Sequence, residues 1–263
     1  MDRALFTAAT GLAAQQLSLD VIANNLANVS TAGFKASRVD FEDLIYQTPQ
    51  EPGTQTGPNS MLPTGQQIGL GVSSGTTTTV NTQGTLQQTG RQYDLAIQGN
   101  GYFKILMPDG TTAYTRAGNF AVDGTGKLVT PDGYALQPEI VIPPDAVSFS
   151  VSPDGQVSVR RAGQQQATVV GQLQLTTFVN PAGLRAMGGN LFMPTPASGP
   201  AVDSTPGTQG AGTLQQGVIE SSNVDIVSEM VRMIILQRAY ETNSKVIQSA
   251  DSMLGIANSI KQG

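Results

Sequence analysis

Residues 3–29 read RALFTAATGLAAQQLSLDVIANNLANV, and this stretch decides the fold class. It holds no proline and one glycine, Gly11, while Leu5, Leu12, Leu19 and Leu26 recur every seven residues. Ala8, Ala9, Ile22, Ala23 and Val29 fall on the same side, so the spacing predicts a helix with a heptad-type apolar seam. Gln15, Gln16, Asn24 and Asn28 occupy the opposite face, and Asp20 is the only charge after Arg3. An apolar stripe is often ordinary core. A solvated helix face usually carries charge, however, so a nearly uncharged one points to a second burial, against other copies of the chain. Gly33 is expected to stop the helix.

The other end mirrors the first. From Asp225 to Ile260 there is no proline, and Gly255 is the only glycine. Ile226, Met233, Tyr240, Ile247 and Leu254 again fall every seven residues, flanked by Met230, Leu236, Ala250 and Ala257. Asn223 or Asp225 would cap this helix. At 1.5 Å per residue the two helices are expected to be about 40 and 50 Å long. Neither has a local partner helix, so the economical solution pairs them with each other.

Between them the pattern switches to strands. Thr76–Val80 is β-branched, and Tyr93–Ile97 and Tyr102–Leu106 alternate around the expected turn Gly99-Asn100-Gly101. Pro-Asp-Gly recurs at 108–110, 131–133 and 153–155, with Asp123-Gly124 besides, which predicts hairpins. Val147–Val151, Gln156–Val159 and Leu173–Val179 are further candidate strands. Residues 47–68 hold four prolines and three glycines, and 198–212 are similar; neither composition builds a core. Segment 47–68 is read either as a flexible linker or as an arm that orders in an assembly. The expected class is therefore α+β, with N- and C-terminal helices paired as a coiled-coil-like domain (1–33 and 224–263). An extended connecting region (34–90 and 200–223) would lead to a central antiparallel all-β domain (91–199).

Composition narrows the chemistry. The chain of 263 residues has 13% charged residues, roughly half the usual share, so much of its surface is polar without being ionic and is cheap to desolvate against a neighbour. The net charge of −5, with no basic run, argues against nucleic acid as a partner. Cysteine and histidine are absent, which removes disulfides, thiolate nucleophiles, the commonest general base and the commonest metal ligands. A Ser-His-Asp triad cannot be built. No stretch approaches the ~20 apolar residues of a membrane span, so membrane insertion is not expected. No cleavable signal is visible at the N-terminus.

Glycine-rich and acidic motifs fail on inspection. Gly69-Leu70-Gly71-Val72-Ser73-Ser74-Gly75 has the wrong spacing for a dinucleotide loop and precedes a Thr-rich strand instead of a helix. The Asp-Gly pairs lack the further carboxylates of a calcium loop and read as turns. A carboxylate pair of a glycan-active enzyme remains an open alternative, though no spacing singles one out.

The segment from Ala23 to Lys35, ANNLANVSTAGFK, resembles the signature of the flagellar rod and hook family of bacterial axial proteins, with Asn24, Asn25, Leu26, Asn28, Gly33, Phe34 and Lys35 as its marks. Glu220-Ser221-Ser222-Asn223-Val224-Asp225, followed by Met230–Tyr240, is similar to the family's second signature, and Asp94–Phe103 to a central one. Arg3–Gly11, Arg38–Tyr46 and the long segment 47–68 resemble the distal-rod branch. The siblings, proximal rod and hook proteins, are the nearer alternative. In the family the extra segment goes with a straight, stiff rod.

The resemblance implies a structural subunit of the distal rod, or drive shaft, of the basal body. It would self-assemble into a helical tube that transmits torque from motor to hook across the periplasm. It implies export through the flagellar type III apparatus without a cleaved signal, and contacts with proximal rod proteins, the hook protein and the peptidoglycan and outer-membrane rings. Leu5, Leu12, Leu19, Leu26, Ile226, Met233, Tyr240, Ile247 and Leu254 would form the assembly seam, with the β domain outside. No catalytic residue, cofactor or metal is expected.

Overall fold

The computed structural model describes every residue except Met1, Thr54, Pro58, Asn59, Leu62 and Gly263. The proline-free ends form the helices that their periodicity predicts: α1, Asp2–Ala27, and α2, Ile226–Gln262. The Asp225 carboxylate caps α2, with Oδ1 accepting from the Val227 N–H at 3.0 Å and Oδ2 from the Ser228 hydroxyl at 2.8 Å. These bonds hold the Asp225 carboxyl below its ordinary range. Gly33 does not stop α1, which ends six residues earlier in a turn at Asn28–Ser30.

The chain folds as two compact units. The first combines Met1–Leu26, Ser37–Thr78 and Asp225–Gly263. Within it a Cβ placed on Gly11 of α1 would lie 3.4 Å from Asn243 Nδ2 of α2. Farther along, Val21 and Ile22 of α1 share a groove with Glu229, Ile235 and Leu236 of α2. Sequence numbers rise on one helix as they fall on the other, so the two run in opposite directions. Ala14, Ile22 and Asn25 are buried on α1, and Glu229 and Ala250 on α2. Ser37–Asp43 pairs with Val72–Thr79. Gly71 packs against α1 at Thr10, where any side chain would collide with the hydroxyl.

Segment 47–68 is not irregular throughout. Tyr46–Gln50 pairs antiparallel with Gln66–Gly69, with Tyr46 opposite Gly69, Gln47 opposite Ile68 and a register shift before Gln50 meets Gln66, and Gln55–Gly57 pairs with Ser60–Met61. Backbone pairing replaces the core that the composition denies it.

The second unit combines Ala27–Ala36 with Thr79–Val224. Every described strand pair in it is antiparallel. A seven-stranded sheet runs in the order Ala121–Val122, Leu128–Val129, Ala135–Gln137, Phe103–Leu106, Thr112–Thr115, Leu191–Met193, Arg185–Gly188. A three-stranded sheet, Ala146–Val151, Gln156–Arg161 and Thr168–Gln172, packs beside it. All four Asp-Gly sites turn hairpins between adjacent strands. At Asp109 and Asp123 the carboxylate is spent on its own turn, accepting from Thr111 in one and from Thr125 and Lys127 in the other. The core holds Leu95, Ile97, Phe103, Ile105, Phe120 and Leu175, all fully buried, with Phe103 edge-on to Phe120 at 5.1 Å between ring centres.

Two expectations change here. Leu95–Gln98 and Phe103–Leu106 flank Gly99-Asn100-Gly101 but do not pair with each other; the first pairs with Thr213–Gln216 instead. Residues 198–212 are not structureless, because Val202–Ser204 pairs with Leu175–Thr177 and carries Ser204 into the interior.

Candidate assembly surface and its anchoring junction

The helical unit leaves many of its large apolar side chains exposed. Val227, Met230, Val231, Ile234, Ile235, Met253 and Ile256 of α2 are all at least half exposed, and so is Phe6 of α1. Of the heptad positions, Leu5, Leu12, Leu19 and Leu26 are half-buried, as are Met233 and Ile247, while Ile226 and Tyr240 are exposed. Leu254 is described only by its place in α2. The most deeply buried apolar positions of α1 are Ala14 and Ile22, between the heptad leucines, which are only half-buried.

The signature residues have a different task. Asn25 is buried and grips the chain as it leaves α1: its Nδ2 donates to the Ser37 carbonyl at 2.8 Å and its Oδ1 accepts from the Ser37 N–H at 2.9 Å. The pair mimics a strand register and fixes where the strand Ser37–Asp43 begins. Asn24 is exposed and Leu26 half-buried. Asn28 Oδ1 accepts from the Thr31 hydroxyl at 3.2 Å, closing the turn after the helix.

Gly33, Phe34 and Lys35 belong to the second unit, where three distant parts of the sequence meet at Glu220. Glu220 Oε1 accepts from Lys35 Nζ at 2.6 Å and from the Gly84 N–H at 2.9 Å; Oε2 accepts from Arg116 Nε at 2.6 Å. Arg116 turns its remaining donors to the Gly101 carbonyl at 2.6 Å and to those of Gly99 at 2.6 Å and Ile97 at 3.2 Å. Lys35 also donates to the Thr82 carbonyl at 2.8 Å. The Lys35 and Glu220 side chains are 3% and 1% exposed, so the ions of this triad are largely shielded from solvent.

Burial pushes the Lys35 ammonium below its ordinary range, more than Glu220 raises it. Burial alone would raise Glu220; facing Arg116 and then Lys35, it sits below its ordinary value instead. Gly33 completes the junction. Its N–H donates to the Glu220 carbonyl at 2.8 Å, its φ is +70°, and a Cβ would stand 2.6 Å from the Ala117 nitrogen. Only glycine fits both the dihedral and the gap. Phe34 is half-buried beside it. Asn223 holds the residue after Lys35, accepting from the Ala36 N–H at 2.7 Å and donating to the Val80 carbonyl at 2.8 Å.

The sequence reading names Lys35 and quotes Glu220 within a motif, but it misses Arg116. The available signal is a lone arginine set among the apolar and small residues of Tyr114–Phe120, a cation that a buried strand does not accept without a partner. Neither the surface nor the triad offers chemistry to a substrate, since the charged atoms of the triad are consumed by each other. Among the described residues no group of three acidic side chains could hold a metal ion. No described helix is long and apolar enough to cross a membrane.

Comparison with known proteins accounts for this convergence. Residues 5–35 match the family described as flagella basal body rod protein. Residues 96–159 match the flagellar hook protein FlgE/F/G D1 domain, and 215–260 the C-terminal part of the flagellar basal body rod FlgEFG proteins. The flagellar basal-body rod protein FlgG of Borreliella burgdorferi is 49% identical over 264 residues, covering 100% of both chains. That of Caulobacter vibrioides is 50% identical over 98% of this chain and 99% of its own. That of Bacillus subtilis is 46% identical over 97% of each. The chain belongs to the flagellar basal-body rod family. This is a family of structural proteins, not of enzymes. Each of its three matched regions contributes one member of the buried triad: Lys35, Arg116 and Glu220.

Proposed function

We propose that this chain is a structural subunit of the distal flagellar rod, polymerising through its terminal helices into a helical tube that carries torque from motor to hook. The observation that carries this reading is the apolar face that α2 leaves uncovered, with Val227 71% and Ile256 61% exposed. A face of that size on a long helix has a favourable place only against other protein. In this reading α1 and α2 form a coiled-coil-like pair, and the heptad residues from Leu5 to Leu26 and from Ile226 to Leu254 make the seam between copies. Contacts between unlike patches that do not close generate a filament in place of a ring. The β body, 91–199, lies outside, towards the peptidoglycan and outer-membrane rings. The ends of the polymer meet proximal rod proteins and the hook protein, and the subunit arrives through the flagellar export apparatus without a cleaved signal.

Deletion of the gene followed by electron microscopy of basal bodies tests the assignment. The expected basal body stops between the proximal rod and the hook. A full-length rod bearing a hook would contradict it.

A further inference from the structure

The helical unit contains a groove of about 280 Å³. Val21 and Ile22 of α1, Val39 of the strand Ser37–Asp43, and Ile235 and Leu236 of α2 make it mainly apolar. One carboxylate stands in this wall. Glu229 is 7% exposed, and its Oε1 accepts from Arg232 Nη1 at 3.3 Å. Its Oε2 is buried with no hydrogen-bond partner. A carboxylate oxygen removed from water and given no donor is unfavourable, so the groove is incomplete as it stands.

The helix directions indicate what completes it. Gly11 lies against Asn243, and the groove joins residues near 21 to residues near 235, so it sits toward the Ala27 and Ile226 end of the pair. The first turn of α1 lies toward the other end, where α2 continues past it to Gln262. Copies packed side by side and offset along the helix axis bring that first turn level with the groove of the next copy, an interface between unlike patches that propagates without closing. Arg3 and Phe6 are both exposed there, three residues apart and therefore on one face. Phe6 is 58% exposed, and Arg3 is the only cation of α1.

We propose that the groove receives the first turn of α1 from a second copy of this chain. The Phe6 ring fills its apolar part, and the Arg3 guanidinium donates to the Glu229 carboxylate, which turns outward to meet it. This rests on the self-assembly reading above and names the residues that meet. A competitor lies within the same chain: Arg38 also lines the groove, with its Nε 3.3 Å from Asp40 Oδ1.

The chain has no cysteine, so single reporters are clean. Copies carrying Phe6→Cys and copies carrying Ile235→Cys are co-expressed in a flagellated bacterium lacking its own copy of the gene, and isolated basal bodies are mildly oxidised. The expected product is a reductant-sensitive dimer of one Phe6→Cys and one Ile235→Cys chain. It should be absent when either is expressed alone, and absent when Phe6→Cys is combined with Val147→Cys on the β body. If Phe6→Cys prevents rods from forming, Thr7→Cys on the same exposed face replaces it. Rods of normal length without that dimer would overturn the groove assignment and leave self-assembly standing. Absence of any polymer of the unmodified chain would overturn both.

Charge provides a second arm. Arg3→Glu should lower the yield of rods about ten-fold or more, whereas Arg3→Lys should largely retain it. Loss with Arg38→Ala but not with Arg3→Glu would mean that Glu229 is satisfied within its own chain, and would overturn the pairing.

Discussion

Phe103 and Ile235 are both large apolar side chains, yet Phe103 is fully buried and Ile235 is 60% exposed. The difference separates the two units. The β body closes on itself: hairpins bring neighbouring strands together, aromatic rings pack against one another, and the buried Lys35, Arg116 and Glu220 pair with each other. The helical unit gathers both ends of the chain and still leaves a broad apolar face uncovered. A closed fold and an open one thus coexist in a single chain. The body buries its large apolar side chains within one chain, and the helices do not.

Substitutions can break that contrast from either side. Phe103→Ala removes a fully buried ring and should destabilise the body by about 3–5 kcal/mol. Urea unfolding followed by tyrosine fluorescence reads this, since Tyr93, Tyr102, Tyr114 and Tyr134 all lie in the second unit. A midpoint close to wild type would mean that the body is not the closed core described. Glu220→Gln leaves Lys35 and Arg116 facing each other without a counter-charge, a loss at the lower end of about 3–5 kcal/mol for breaking a buried pair.

The same variant sharpens the pH dependence. Glu220 sits below its ordinary value of 4.5 in the fold, so its contribution is complete above that pH and is lost as pH falls through the folded value. Lys35 sits below its ordinary 10.5, so the folded state disfavours its charged form at neutral pH, and this cost is relieved as pH rises towards 10.5. Wild-type stability should therefore fall below about pH 4.5 more steeply than that of Glu220→Gln. Parallel acid profiles for the two would contradict the account of the triad.

Gly33→Ala is expected to cost about 1–3 kcal/mol, because it combines a positive φ with a steric clash. Urea midpoints measure it, and an unchanged midpoint would show that the junction is looser than described. The smallest effect on stability belongs to the open unit. Ile234→Asp should change unfolding by no more than about 0.5 kcal/mol, since the side chain is half exposed in the single chain. The same change should abolish rods in electron micrographs of basal bodies, and normal rods would place the seam elsewhere.

Much of this division could be read from the residues. Both helices follow from proline-free heptads, and the hairpins follow from Pro-Asp-Gly, because these signals act within a few residues of where they stand. The misses are non-local. Gly33 looks like a helix stop, but its glycine is needed for close passage by Ala117, more than 80 residues away. Residues 47–68 lack any core signal, and only backbone pairing from Tyr46 to Gly69 orders them. The heptad leucines announce a seam, but periodicity does not say which helix faces are covered within one copy. That is why Ala14 and Ile22 carry the burial of α1.

Hydrogen exchange tests the central contrast most directly, comparing dilute full-length chain with intact rods. Amides of α1 and α2 should exchange rapidly in the free chain and become protected in the rod, while those of Leu95–Gln98, Phe103–Leu106 and Thr213–Gln216 stay protected in both. Equal protection of the helices in the dilute chain would contradict the account, because the helical unit would then be complete without its neighbours.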